Sequence, residues 1–171
     1  FIGYWIHCFY IIQVFMINNF LSFLTYENIY YIGNIGVIPC WLLLIVSPNH
    51  IFTKFFVKSV IIPLLLSTAY IFLAYQIYLT ENIFEVFNLY FGLNDLYALF
   101  SNEQFLLIFW LHFLSINLFV GNWIANDSKI FNVSKLFVIL SLLMTYFTGP
   151  VGLVFYWFVR IFYSKKINFY D

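Results

Sequence analysis

The polar side chains best suited to chemistry lie in, and just after, the apolar stretch 105–125. His112, Ser115, Asn122 and Asn126 follow one another at spacings of three, seven and four residues, which places them on one face of a helix. His112 changes charge most readily, since an unperturbed imidazole has a pKa of about 6.5. Polar groups are costly in hydrocarbon, so this face is expected to point into a helix bundle. The candidate polar stripe is His112, Ser115, Asn117, Asn122 and Asn126.

Two interpretations of the polar stripe stay open. In the default interpretation its members bond neighbouring helices, each bond contributing about 0.6 to 2 kcal/mol. In the second, the stripe faces a bound lipid or pigment, and His112 acts as an acid, a base or a ligand to that molecule. The default interpretation favours a protein that is not an enzyme. If the protein is an enzyme, His112 is the candidate catalytic residue.

Several other kinds of site lack the residues that they would need. No carboxylate lies in the middle of a span, which argues against paired acid/base catalysis and proton pumping. Cys8 and Cys40 lie in apolar runs without Cys-x-x-Cys spacing, so no disulfide framework is predicted. The three histidines and two cysteines suggest neither a metal site nor a haem site. No cofactor is predicted beyond a bound lipid or isoprenoid.

The composition requires a membrane environment for these residues. The 171 residues are 64% hydrophobic and 8% charged, with a mean hydropathy of +0.95, whereas soluble domains carry about 25% charged residues. The formal net charge is zero, which leaves no basic surface for nucleic acid. The chain is therefore predicted to be an integral membrane protein.

The apolar stretches predict an all-α, polytopic transmembrane helical bundle. Four of them are about long enough to cross a bilayer: 29–46, 59–79, 105–125 and 135–162. Residues 1–25 are predicted to form an extra transmembrane or interfacial helix before a four-helix module at 28–163. An interfacial helix is expected near 83–100 and a short polar tail at 164–171. Gly149, Pro150 and Gly152 predict a kink or a break in the last span.

The distribution of charge suggests an orientation. Lys54, Lys58, Lys129 and Lys135 lie in loops on one side, which the positive-inside rule assigns to the cytoplasm, matrix or stroma. The basic residues near the end of the chain oppose this assignment if the last segment crosses once: Arg160, Lys165 and Lys166.

The order of short motifs resembles the abscisic-acid-deficient-type family over about residues 28–163. The resemblance implies a four-helix integral membrane module, found in bacteria and plastids, whose plant member takes part in making neoxanthin from violaxanthin. The motifs that carry it are Pro39-Cys40-Trp41, Ile62-Pro63-Leu64, Leu99-Phe100-Ser101-Asn102, Trp110-Leu111-His112-Phe113-Leu114, Leu118-Phe119-Val120-Gly121-Asn122-Trp123 and Gly149-Pro150-Val151-Gly152-Leu153.

This chain departs from the family pattern in the third span. The family reads His-Tyr-Leu-Ala-Phe-Asp-Leu-Phe-Val-Gly-Arg-Trp there, and this chain keeps His112 but has Asn117 in place of the Asp and Asn122 in place of the Arg. Losing an acid together with a neighbouring cation avoids leaving one buried charge unpaired. If those charges carry the family's chemistry, this member is expected to have lost it.

The uncharged stripe and the aromatic surface favour a non-catalytic accessory subunit of a large membrane assembly. Residues encoded by AT-rich codons, such as the 24 Phe and 14 Tyr, favour a respiratory-chain complex of the mitochondrial inner membrane. Membrane lipids and other transmembrane subunits would then be the partners. The alternative is a carotenoid- or isoprenoid-modifying enzyme, or its helper, in a plastid or bacterial inner membrane. His112, Ser115 and Tyr146 would be its proton donors. A small-solute transporter ranks last, because no inverted repeat is visible.

Overall fold

The computed structural model describes residues 14–16, 19, 22–80, 87 and 90–165. These residues form helices and turns and contain no strand, so the all-α prediction is confirmed. A π-helical segment, Thr53–Lys58, lies between the first two helices. The α-helices are α1 (Tyr26–Val46), α2 (Ile61–Thr80), α3 (Leu93–Phe100), α4 (Glu103–Ile130), α5 (Lys135–Thr148) and α6 (Pro150–Ser164).

Three of these helices, α1, α2 and α4, are long and apolar enough to cross a membrane. α1 has 21 residues and α2 has 20, and at about 1.5 Å per residue each measures about 30 Å, the thickness of the hydrocarbon layer. α4 is longer, with 28 residues. The three helices contain most of the first three predicted spans, and the protein is an integral membrane protein.

Side chains at the helix ends explain where α1 and α4 begin. The hydroxyl of Thr25 accepts a hydrogen bond from the backbone N–H of Asn28 at 3.2 Å. The side chain of Asn102 accepts from the N–H groups of Gln104 and Phe105. Such caps satisfy backbone donors that have no partner inside the helix. Glu103 in the first turn of α4 adds a favourable interaction with the helix dipole.

α4 lies at the centre of the bundle, with α1 parallel to it. The indole N–H of Trp110 donates to Asn34 Oδ1 at 3.2 Å. Further along both helices, Gly121 faces Trp41, and a Cβ added at Gly121 would lie 2.6 Å from the Trp41 ring. The glycine is therefore needed for the close approach of α1 and α4.

α2 runs antiparallel to α4. The π-helical segment that precedes α2 is bonded to the second half of α4, because the side chain of Asn122 donates to the carbonyl of Lys58 at 3.4 Å. Further along α2, Tyr70 lies beside His112, nearer the start of α4, with ring centroids 6.2 Å apart.

The last predicted span is a helical hairpin rather than one kinked crossing. Gly149 has φ = +64° and separates α5 from α6. A Cβ added at Gly152 would overlap the backbone nitrogen of Thr145, and the rings of Phe137 and Tyr163 lie 6.4 Å apart. The two helices therefore pack antiparallel. Their 14 and 15 residues give about 22 Å each, too short to cross.

The break between α5 and α6 is explained by the two residues at which it occurs, Gly149 and Pro150. Glycine adopts positive φ at little cost, and proline at the first position of α6 lacks an N–H that would otherwise continue α5. The tip of the hairpin reaches only halfway along α4, because Gly149 contacts Asn117, near the midpoint of that helix. The four-crossing bundle is thus corrected to three crossings and a half-depth hairpin.

The hairpin also removes the conflict over orientation. Arg160 forms an ion pair with Asp127, at the end of α4 that carries Lys129. This end of the bundle, the basic end, carries Lys54, Lys58, Lys129, Lys135, Arg160 and Lys165, whereas Glu27, Asp95 and Glu103 lie at the opposite end. Lys166 is outside the described residues. The positive-inside rule now favours one orientation, with the basic end in the cytoplasm, matrix or stroma.

Cysteine labelling checks this topology. In a cysteine-free background, Asn132→Cys and Lys165→Cys are expected to react with an impermeant maleimide from the same side of a sealed vesicle, since the hairpin returns the chain to its starting side. Asp95→Cys should react from the other side and serves as the control. Labelling of Lys165→Cys together with Asp95→Cys would show a single crossing and contradict the hairpin.

Some sequence predictions fall largely outside the described residues. Of the N-terminal segment 1–25, only 14–16, 19 and 22–25 are described. Residues 81–86 and 88–89, in and beside the predicted interfacial helix, are outside as well, and so is most of the tail at 164–171. The described part of this region contains α3, which is amphipathic and has no buried residue, and its place at the membrane interface stays a prediction.

Candidate functional site

The buried half of the polar stripe bonds α4 to α2. The hydroxyl of Ser115 donates to the carbonyl of Pro63 at 3.0 Å and lies 3.3 Å from the hydroxyl of Ser67. Ser115 is 8% exposed, so this bond joins two helices away from lipid. The arrangement is that of the default interpretation, in which polar side chains connect helices.

Asn122 and Asn126 bond α4 to the π-helical segment. Asn122 donates to the carbonyl of Lys58, and its own side-chain oxygen accepts from Asn126 at 3.1 Å. The ammonium group of Lys58 donates to Asn126 Oδ1 at 2.7 Å. The π-helical segment is thereby bound to α4 from both its backbone and its side chain.

His112 lies on the outer side of α4, where its side chain is exposed beside the ring of Tyr70. It is placed to meet lipid or a bound molecule. The other proposed donors lie elsewhere, since Ser115 bonds to α2 and Tyr146 packs on Trp41 with ring centroids 5.6 Å apart. The structure does not bring His112, Ser115 and Tyr146 together.

Asn117 faces the hairpin rather than α2. Its side chain lies against Gly149 at the hairpin tip, it is 7% exposed, and its Nδ2 is buried without an acceptor among the described residues. Asn122 contacts Lys58, on another side of α4. Five residues turn a helix by about 140°, so Asn117 and Asn122 face different neighbours in this chain. The interpretation of these positions as an acid and a neighbouring cation in the family stays a prediction.

A buried charged cluster that the sequence analysis missed joins α4 to α6. Arg160 Nε donates to Asp127 Oδ2 at 2.9 Å, and the hydroxyl of Tyr156 donates to the same oxygen at 2.7 Å. Arg160 is 2% and Asp127 8% exposed, and the guanidinium lies 4.6 Å from the centroid of Phe131. The four-residue spacing of Tyr156 and Arg160 was the available signal, because it puts both on one helix face.

Two open cavities accompany these residues. An apolar groove of about 230 Å³ lies between α1 and α2. A cleft of about 620 Å³ lies at the basic end, between the last turn of α1 and the α4–α5 connection. The described residues contain no group of three or more His, Cys, Asp or Glu placed to hold a metal ion.

Comparison with known proteins identifies relatives of this chain. The sequence profile of the ABA DEFICIENT 4-like family matches residues 28–156, well over half of the chain. The protein ABA DEFICIENT 4, chloroplastic, of Arabidopsis thaliana is 27% identical over 104 residues, which are 59% of this chain and 47% of that protein. The chain thus spans about half the length of this curated relative. No solved structure matches.

Proposed function

This chain belongs to the ABA DEFICIENT 4-like family, and from this membership we propose that it binds a carotenoid or a related long-chain isoprenoid within the membrane. Its role is that of a helper in the synthesis of oxygenated isoprenoids. The observation that carries the proposal is the family match over residues 28–156. The motif resemblance supports the same class of substrate, because the plant member is implicated in neoxanthin synthesis.

The groove between α1 and α2 supports binding of a long apolar chain. Gly36 leaves part of it unfilled, because a Cβ added at this position would meet no atom within 4 Å. Inside a bilayer an apolar chain binds such a groove through close packing, because there is no water to be removed from the groove. The lining is apolar throughout: Leu24, Ile29, Ile32, Gly33, Gly36, Val37, Ile62, Leu65, Leu66, Ala69 and Leu111.

The placement of the donors favours a helper over a catalyst. A general acid must lie within hydrogen-bond reach of the reacting oxygen, together with a base or a second donor. Ser115 is already bonded to Pro63, and Tyr146 lies on Trp41. His112 lies on the lipid-facing side beside Tyr70. It can donate a hydrogen bond to an oxygenated end group of the isoprenoid, and this role is one in binding.

Filling the groove tests the proposal. The tagged chain is purified from native membranes in mild detergent, and its isoprenoids are extracted, separated and quantified. An isoprenoid should be enriched with the chain, and Gly36→Leu should reduce its amount about ten-fold or more, equivalent to a loss of about 1.4 kcal/mol of binding free energy. The leucine has room to fill the groove, since nothing lies within 4 Å of its Cβ.

Leu42→Phe is the matched control, since Leu42 is an α1 residue outside the groove and is 57% exposed. This variant should keep the wild-type amount of isoprenoid. A wild-type chain that carries no isoprenoid above the level of the bulk membrane would overturn the proposal.

The same purification distinguishes the two functions predicted from the sequence, a respiratory-chain subunit and an isoprenoid-modifying enzyme or its helper. The comparisons favour the isoprenoid alternative and give no support to a respiratory-chain subunit. Since the Arabidopsis relative is chloroplastic, we propose a plastid membrane rather than the mitochondrial inner membrane. Recovery of stoichiometric respiratory subunits without an isoprenoid would reverse both choices.

A further inference from the structure

The cleft at the basic end has two chemically different sides. Its apolar lining includes Ile45, Val138 and Ile139. Its rim is polar and carries Ser47, Asn49, His50, Ser128, Lys129, Asn132 and Lys135. A molecule that fits both sides needs an apolar chain and a polar group that accepts hydrogen bonds.

The positive charge on the rim has no acidic partner among the described residues. No acidic side chain is among the lining residues that the structure describes. The ammonium group of Lys129 donates to the carbonyl of Pro48 and to Asn49 Oδ1, both neutral. The nearby carboxylate, Asp127, is bonded to Arg160 and Tyr156 instead. The charge of Lys129 is therefore solvated by the protein but not balanced.

Neighbouring lysines increase this excess. Burial, followed by the hydrogen bond and charge of Lys129 and the charge of Lys54, lowers the pKa of Lys58 to about 8. The contribution of Lys129 and Lys54 to this shift shows that Lys58 lies close to other positive charges. A negative group bound beside Lys129 would relieve the repulsion.

The start of α5 adds to the positive potential. Lys135 is the first residue of α5, and the side chain of Ser134 makes no capping hydrogen bond. Unsatisfied N–H groups and the helix dipole make a helix start electropositive, so a lysine there is unfavourable unless an anion is near. This helix start forms part of the cleft, since Lys135 and Val138 both line it.

We propose that the cleft binds the phosphate group of an anionic membrane phospholipid. Lys129, Lys135 and His50 contact the phosphate, and an acyl chain lies against Ile45 and Ile139. His50 is prepared for this role, because its Nδ1 accepts from the N–H of Phe52 at 3.3 Å and leaves Nε2 to donate. The cleft lies at the basic end, the level of the headgroups in the more negatively charged leaflet. The proposal does not depend on isoprenoid binding.

The test compares lipids in mixed micelles with the full chain. Native mass spectrometry and thermal unfolding should show that phosphatidylglycerol binds and stabilises the wild type more than phosphatidylcholine does. Lys129→Gln combined with Lys135→Gln should weaken phosphatidylglycerol binding roughly 30-fold, about five-fold for each lysine. Lys54→Gln is the control, because Lys54 lies in the same basic end but does not line the cleft.

Charge-conserving and soluble competitors complete the design. The double variant Lys129→Arg, Lys135→Arg should keep the lipid preference, which separates loss of charge from failure to fold. If inorganic phosphate stabilises the chain as much as the lipid does, the lipid assignment is overturned in favour of a soluble anion. Equal binding of the two lipids to the wild type, or a preference that survives in the double glutamine variant, overturns the site.

Discussion

Replacing Arg160 with methionine is expected to destabilise the bundle by about 3 to 5 kcal/mol, because it leaves the buried carboxylate of Asp127 without its counter-charge. Arg160 is 2% exposed and its Nε lies 2.9 Å from Asp127 Oδ2, so water cannot take the place of the guanidinium. Methionine keeps an apolar contact with Phe131, whose ring the guanidinium covers. The change therefore removes mainly the charge. Unfolding in mixed micelles with increasing dodecyl sulfate measures the loss.

Two further variants separate charge from packing. Tyr156→Phe removes one hydrogen bond to the Asp127 carboxylate but no charge, and it should cost about 1.5 to 3 kcal/mol. Combining Arg160→Met with Asp127→Asn removes both charges and should recover part of the lost stability, since removing a whole buried pair costs less than removing half of it. If Arg160→Met costs no more than Tyr156→Phe, the ion pair is not what holds α6 to α4.

Hydropathy predicted the crossing helices because length and apolar content are local properties of the sequence. α1, α2 and α4 correspond to the first three apolar stretches. The fourth stretch was predicted to hold one span with a kink or a break at Gly149 and Pro150, and the break lies there. That the chain folds back at this break was not predicted, because the composition is the same whether α5 and α6 are collinear or folded back. The difference lies in a contact between Gly152 and Thr145, and a contact of this kind leaves no trace in average hydropathy.

Helical periodicity located the polar stripe but could not assign a partner to each member. Ser115 and Asn122 bond to neighbouring segments as the spacing suggests, while His112 lies at the exposed edge of the same face. Asn117 was grouped with them although it faces the hairpin. The side of α4 that is buried depends on where α5 and α6 pack. The periodicity of α4 alone does not predict where these two helices lie.

The charged cluster was missed for the same reason. Asp127 and Arg160 are 33 residues apart in sequence, and a single final crossing would have put them at opposite membrane surfaces. The hairpin brings them together and at the same time collects the basic residues at one end. One structural feature thus accounts for the buried ion pair, for the basic cleft and for an orientation that agrees with the positive-inside rule.

Replacing Gly152 with alanine is expected to force α5 and α6 apart, at a cost of about 3 kcal/mol or more. The new methyl group would overlap the backbone nitrogen and the hydroxyl of Thr145. A side chain could rotate away, but a backbone nitrogen moves only with its helix. The same unfolding assay measures the stability, and a disulfide between cysteines introduced at Phe137 and Tyr163 should form more slowly in the variant.

Gly36→Ala is the matched control, because it makes the same chemical change in a helix where the added Cβ meets no atom within 4 Å. It should stabilise the protein by about 0.5 to 1 kcal/mol, since alanine loses less conformational entropy than glycine in a helix. The two substitutions therefore have opposite expected signs. Trimming the Thr145 side chain to alanine should not rescue Gly152→Ala, because the backbone nitrogen stays in place, and a full rescue would show that the hydroxyl alone sets the spacing of the hairpin.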